Sequence, residues 1–341
     1  MDQPLQLLQV GCGERAQEHL RSIQNSPHVE LMALCDLDAA KLRETAARFN
    51  IKNTFSDMTA VIRAFPGAEC VSIITPPTLR TSVVEPALEA GARAVLIEKP
   101  LALSPSEARR LEELGRERLI AVNTQYRWMP HWARLWPMLD AGELGQVRSI
   151  RASTRENILE QGPHILDLAL EVARRSGWGA PRRVLASCAG LARFGSTPVP
   201  AQTSAAISFD EPRAVLHFDA GRHAPSTGDE LNGLNIQLEI TGSRGRFFAS
   251  LTRGWELQTQ SEILRGETNW PGDDLQAQPA LFASLRDAVR GDYHSFPTSV
   301  QNAARVSDVM FACYASALER RVVDINEPLD DSVVSRLEEL S

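Results

Sequence analysis

No run of about eighteen consecutive apolar residues occurs in the chain, so no segment reads as a membrane-spanning helix. The five cysteines, Cys12, Cys35, Cys70, Cys188 and Cys313, are scattered, odd in number and free of C-x-x-C spacing. That argues against a disulfide framework or a zinc ribbon and for a reducing compartment. No His/Cys/Asp spacing points to a metal, so none is expected. No basic run stands out in a chain of net charge −7, and nucleic acid is not an expected partner. Internal repeats, low-complexity tracts and long linkers are absent. Met1-Asp2-Gln3-Pro4 leads straight into an apolar stretch rather than a signal peptide, and a cytoplasmic location without membrane association is expected. The 341 residues suffice for two domains with sizeable cores.

What is present begins at once. Leu5-Gln6-Leu7-Leu8-Gln9-Val10 reads as a strand, followed by Gly11-Cys12-Gly13-Glu14-Arg15-Ala16 and a helical pattern through Leu20 and Ile23. This is a G-x-G-x-x-A fingerprint in strand, turn, helix context. Gly11 permits the turn, Gly13 lets a pyrophosphate approach the backbone, and Ala16 lets helix and strand pack closely; the phosphates would sit on the helix N-terminus. Cys12 is read chiefly as a turn filler beside the cofactor.

A second strand, 29–35, ends at Asp36, twenty residues after Ala16, the spacing of a carboxylate that accepts from the adenosine ribose. Leu37 and Asp38 follow, with no arginine to meet a 2′-phosphate, which favours NAD over NADP. The plainer alternative makes Asp36 the cap of a helix starting near Ala39.

Strand and helix patterns alternate as far as residue 123, with strands at 71–74, 93–97 and 119–122 and helices at 81–90 and from about Ser104. This predicts an α/β domain, a doubly wound parallel sheet over 1–123. Beyond it the grammar changes. Segments 146–154, 183–192, 202–209, 214–218, 234–240, 246–251 and 255–258 read as strands, with hairpin connections at Asp210-Glu211-Pro212 and Gly242-Ser243-Arg244-Gly245. Helices are expected at 162–174, 281–289 and 301–318. The second domain, 124–341, is therefore expected to be α+β, built on a largely antiparallel open sheet. Trp128, Trp132 and Trp136 recur every four residues, read as core packing of a helix that Pro137 stops.

At the end of the 93–97 strand stand Glu98, Lys99 and Pro100, where doubly wound folds keep their chemistry. Together with Val10-Gly11-Cys12-Gly13, Thr75-Pro76, Arg127-Trp128-Met129-Pro130, Gly162-Pro163-His164-Ile165-Leu166-Asp167 and the 239–245 segment, they make the chain resemble the glucose-fructose oxidoreductase, inositol dehydrogenase and rhizopine-catabolism (Gfo/Idh/MocA) family nearly end to end. The resemblance implies an NAD-dependent oxidoreductase that interconverts an alcohol and a ketone on a sugar, cyclitol or related polyol. Two alternatives stay open: an NAD-dependent glycosidase using transient oxidation, and a cofactor-gated regulatory protein of the same fold. It also implies a homodimer or dimer of dimers through the C-terminal sheet, residues 234–251 included.

By the same resemblance, Lys99 lies beside nicotinamide and substrate, His164 supplies the base, and Asp167 trails it. The family's first aspartate falls on Glu160, which is read as the equivalent carboxylate, as a substrate contact, or as a cap. A helix starting near Glu160 would set Glu160 and His164 one turn apart. The expected cofactor contacts are Gly11, Cys12, Gly13, Glu14, Arg15, Ala16, Asp36, Thr75, Pro76, Glu98, Lys99 and Gln125. The expected substrate contacts are Lys99, Tyr126, Arg127, Arg155, Asn157, His164 and Asp167, with Glu156 beside them. His19, His28, His131, His217, His223 and His294 have no such company.

Overall fold

A computed structural model describes residues 3–211, 214–226, 235–270 and 272–340. In chain order it runs β1 (Leu5–Val10), α1 (Glu14–Gln24), β2 (Val29–Cys35), α2 (Ala39–Phe49), β3 (Thr54–Phe55), α3 (Met58–Ala64), β4 (Cys70–Ile73), α4 (Arg80–Glu89), β5 (Ala94–Glu98), α5 (Pro105–Leu114) and β6 (Leu119–Asn123). There follow α6 (Pro130–Asp140), β7 (Val147–Thr154), α7 (Gly162–Arg175), β8 (Pro181–Phe194), β9 (Thr197–Phe209), β10 (Val215–Gly221), β11 (Ile236–Gly242), β12 (Arg246–Ser250), β13 (Gly254–Gln258) and β14 (Ile263–Gly266). The chain closes with α8 (Gly272–Arg290), α9 (Val300–Glu319), β15 (Val323–Asp324) and α10 (Ser332–Ser335).

Two compact units result. The first comprises Met1–Leu103, Glu107–Trp128 and Leu275–Ala304; the second comprises Ser104–Ser106, Met129–Asp274 and Arg305–Ser341. The linear division expected at residue 123 is corrected: residues 124–128 and, above all, 275–304 join the first unit, and Ser104–Ser106 the second. The reason is apolar. Leu281, Phe282, Leu285 and Ala288 on one face of α8, with Phe296, are buried in the same cluster as Leu5, Leu7, Leu96 and Ala121 of the strands and Leu20 and Ile23 of α1. Each large side chain so buried contributes about 1.5–3 kcal/mol.

The first unit carries a six-stranded sheet in the order β3-β2-β1-β4-β5-β6, each neighbouring pair parallel. Every residue of β4, β5 and β6 is buried, as expected of strands covered on both faces. Helix α2 starts and ends as its sequence dictates. Asp38 caps α2, accepting from Ala40 N at 2.9 Å and Lys41 N at 3.1 Å, and Asn50, with φ of 52°, ends it. Asp38, not Asp36, is therefore the cap.

The second unit carries a nine-stranded sheet in the order β14-β13-β12-β11-β7-β10-β9-β8-β15. Its strands pair antiparallel except for β7 with β10, which are parallel. Buried Ile165, Leu168, Ala169 and Val172 of α7 supply the face that packs on β7, β10 and β11. The alternate residues Arg151, His217 and Glu239, aligned across β7, β10 and β11, are exposed. The hairpin joining β11 to β12 closes with Gly242 N donating to Gly245 O at 2.8 Å. Asp210 and Glu211 likewise lead from β9 toward β10, while Pro212 and Leu234 lie outside the described residues.

Pro137 does not stop α6, which runs on to Asp140. A proline removes one backbone donor without removing those after it, and the end comes at Gly142, whose φ is +69°. The tryptophans do not share one helix either. Trp128 lies in the 3-10 turn Gln125–Trp128 against Phe296, while buried Trp132 packs on Phe247 and Trp136 lies under Arg175. No helix among the described residues is long and apolar enough to cross a membrane.

Candidate functional site

Parallel strands end on one edge, and the first unit's candidates gather there. Gly11–Ala16 follow β1, Asp36 follows β2, Thr75 and Pro76 follow β4, Glu98 and Lys99 end β5, and Gln125, Tyr126 and Arg127 form the turn after β6. Ligands of open parallel sheets bind outside this edge, where the strand order reverses, here between β1 and β4.

The glycine turn has the shape a dinucleotide needs. Gly11 has φ +108°, and a Cβ there would stand 2.2 Å from Ile74 O, so only glycine fits the approach to β4. Around Gly13 a Cβ would meet nothing within 4 Å. Gly13 is the N-cap of α1 and no side chain caps that helix, which leaves its first N–H groups to an outside acceptor. The Thr75 hydroxyl is buried without a hydrogen-bond partner among the described residues. Gly11, Gly13 and Thr75 thus fit an NAD phosphate group.

Asp36 does more than await a ribose. Its Oδ2 accepts from Cys12 N at 2.7 Å and its Oδ1 from Asp38 N at 2.8 Å, so it braces the glycine turn while keeping lone pairs to spare. Burial and the Asp36 charge push the Cys12 thiol up to about 12, which keeps it a neutral filler. Leu37 beside it is 87% exposed.

Glu98 is the hub of a buried network that the sequence did not announce. Its Oε1 accepts from Arg15 Nε at 2.9 Å and Asn123 Nδ2 at 2.8 Å, and His19 Nε2 lies 2.7 Å away. A carboxylate only accepts, so His19 Nε2 carries the proton. Asn123 stands opposite Glu98 in the β5/β6 register, and its Oδ1 accepts from Gln278 Nε2 at 3.1 Å. Burial alone would raise the Glu98 carboxyl; Arg15, His19 and Lys99 together hold it well below the usual carboxylate range. Contrary to expectation, His19 has company. The signal was its place in the stripe Ala16, His19, Leu20, Ile23, the buried face of α1.

Lys99 is half-buried beside this hub, joined to Pro100 by a cis peptide. Gln125, Tyr126 and Arg127 are all buried.

In the second unit α7 starts at Gly162, not near Glu160. Gln161 is its N-cap and Pro163 sits in the first turn, where its missing donor costs nothing. Glu160 precedes the helix in a tight turn held by Asn157, whose Oδ1 accepts from Leu159 N at 3.0 Å and Glu160 N at 2.9 Å. His164 and Asp167 are buried, 3% and 2% exposed, in the first turns of α7, while Glu160 is half-buried. Arg155 and Asn157 line a separate cavity of about 470 Å³ with Glu156, Gln202, Gly221 and Arg222. Glu160, His164 and Asp167 do not line it. Among the described residues, no group of three or more His, Cys, Asp or Glu is placed to hold a metal ion.

A glycine turn at the head of a parallel sheet, followed by a unit built on an open mixed sheet, defines a dinucleotide-binding fold with a second, sheet-based unit. Residues 5–125 match the oxidoreductase family with an NAD-binding Rossmann fold, GFO_IDH_MocA. The chain is 31% identical to D-apiose dehydrogenase of Paraburkholderia graminis over 47% of each chain. It is 26% identical to dTDP-3,4-didehydro-2,6-dideoxy-alpha-D-glucose 3-reductase of Saccharopolyspora spinosa over 91% of this chain and 97% of that one. The chain spans less than half the length of some curated relatives it matches, D-apiose dehydrogenase among them. In fold it is similar to levoglucosan dehydrogenase in complex with NADH and L-sorbose, with a TM-score of 0.78 at 19% identity over 96% of this chain and 100% of that one.

Proposed function

We propose that the chain is an NAD-dependent oxidoreductase interconverting a secondary alcohol and a ketone on a polyhydroxylated, sugar-like substrate. The observation that carries this reading is the buried clamp on Glu98, which holds the end of β5, and with it Lys99, on the same strand edge as the glycine turn. The names of the relatives, two sugar dehydrogenases and a nucleotide-sugar reductase, support the substrate class.

When bound at the glycine turn, NAD supplies the hydride acceptor. The work left to the side chains is proton handling and positioning. A secondary hydroxyl must lose its proton as it loses hydride, so a base within hydrogen-bond reach and a cation to stabilise the developing alkoxide are both needed. His164 is assigned the base and Lys99 the cation and proton relay. Asp167, one turn along α7, orients that helix face, and Glu160 lends it charge. Tyr126, Arg127, Arg155 and Asn157 are assigned to the polar groups of the substrate. Asp36, followed by exposed Leu37 and then Asp38, favours NAD over NADP, whose 2′-phosphate would meet two carboxylates.

A panel of sugars and inositols with NAD and NADP, read by reduced-nicotinamide absorbance and product analysis, tests the proposal. Ketone and NADH in equal amounts support it. Glycoside cleavage with no net NADH supports a glycosidase instead, and cofactor binding without either product supports a regulatory protein.

A further inference from the structure

The parallel pair in the second sheet has a consequence for what the substrate must be. Because β7 and β10 run the same way, with Ala220 aligned to Thr154, both strands end on one side. Arg155 follows Thr154 directly and Arg222 follows Gly221, so two guanidinium groups leave neighbouring strand ends, which in a parallel sheet are roughly 4.8 Å apart, and both line the cavity of about 470 Å³.

The turn that presents Arg222 is fixed. Gly221 has φ +117°, and a Cβ there would stand 2.3 Å from Ala201 O, so no larger residue fits without movement. Gln202, paired with Gly221 across the β9/β10 register, accepts from His223 N at 3.2 Å through its Oε1. Among the described residues neither Arg155 nor Arg222 has a carboxylate or any other side-chain hydrogen-bond partner, whereas Arg15, Arg174, Arg246 and Arg290 each pair with an acid. Glu156 lines the same cavity, leaving two positive charges against one negative. Two like charges converging on one hollow repel each other, and an anion between them would relieve that cost.

We infer that this cavity binds the anionic end of the substrate, a carboxylate or a phosphate ester, so that the natural substrate is an acidic polyol and not a neutral sugar. The inference rests on the dehydrogenase reading for the word substrate; the anion site itself stands on the cavity. Guanidinium forks suit both anions, since each offers paired oxygens. Asn157, whose Oδ1 holds the turn leading to α7, ties the cavity wall to the segment that carries His164.

The test is calorimetric titration of the full-length chain, saturated with NAD, with D-glucose, D-glucuronate, D-glucose 6-phosphate and inorganic phosphate. At least one anionic probe should bind tenfold or more tightly than D-glucose, more weakly as salt is raised. Arg155→Ala and Arg222→Ala should each weaken that probe at least tenfold, with melting temperatures unchanged. D-glucuronate as the stronger probe assigns a carboxylate, and D-glucose 6-phosphate or inorganic phosphate assigns a phosphate ester. Equal binding of glucose and its acids, no binding of any anion, or variants that leave anion binding intact would each overturn the inference. Reduced-nicotinamide absorbance on the same samples keeps the two readings apart. A neutral sugar oxidised while anions bind no better sinks the anion site alone; an acid held by the arginines yet never oxidised sinks the dehydrogenase reading alone.

Discussion

Replacing Glu98 by glutamine keeps the side chain's shape and removes its charge from the centre of the first unit. Three donors converge on one oxygen, and two of them, His19 and Asn123, are buried, so water cannot take over. Arg15 is 35% exposed and recovers part of its hydration. A buried hydrogen bond to a charged acceptor is worth about 1.5–3 kcal/mol, and glutamine's own N–H groups now face donors. The expected loss is about 2–3 kcal/mol, which in a domain of this size lowers the melting temperature by roughly 4–12 °C. Because the Glu98 carboxyl is held below its ordinary value, its contribution is complete above about pH 4.5 and fades as pH falls through the depressed value. Thermal melts followed by circular dichroism at neutral and acid pH should therefore show a gap between wild type and Glu98→Gln that narrows toward acid. A variant melting within a degree of wild type at neutral pH, or a gap that stays constant into acid, would refute the reasoning.

Three other outcomes are expected. Gly11→Ala should fail to fold or melt far lower, because its Cβ meets the Ile74 carbonyl, whereas Gly13→Ala should melt like wild type yet bind NAD at least tenfold more weakly by calorimetry. Asp36→Ala should shrink the preference for NAD over NADP in paired titrations, and it should also lower stability, because Cys12 N and Asp38 N lose their acceptor. Glu160→Gln should cut turnover if the charge serves His164, while Glu160→Asp should retain most of it; normal steady-state rates in Glu160→Gln would leave Glu160 a turn residue only.

The parts legible in the sequence were those set by local pattern. β1 and β2 were legible at 5–10 and 29–35 because buried Leu5, Leu7, Leu8 and Val10, and Val29, Ala33, Leu34 and Cys35, dominate two short segments bounded by turn residues. α7 was legible from its apolar stripe and starts at Gly162, as the pattern over 162–174 predicts; a start near Glu160 does not occur, since Asn157 builds a separate turn under Glu160 before the helix begins. β14, four residues alternating between exposed and half-buried at a sheet edge, lacked any apolar run to announce it. The joining of residues 275–304 to the first unit was not legible either: periodicity shows which face of α8 is apolar, not which core receives it. The same limit hid the arginine-lined cavity, which exists because β7 and β10, some sixty residues apart, end side by side. His19 was the recoverable miss, a polar residue on an apolar helix stripe that must find a buried partner.

The most direct measurement of the central claim is the steady-state rate of Lys99→Ala on the substrate that the panel identifies, with NAD affinity determined by calorimetry on the same preparation. If Lys99 stabilises the alkoxide at the end of β5 while the glycine turn holds the cofactor, turnover should fall by about a hundredfold or more with NAD affinity within a few-fold of wild type. Turnover within a few-fold of wild type, at unchanged NAD affinity, would contradict the account.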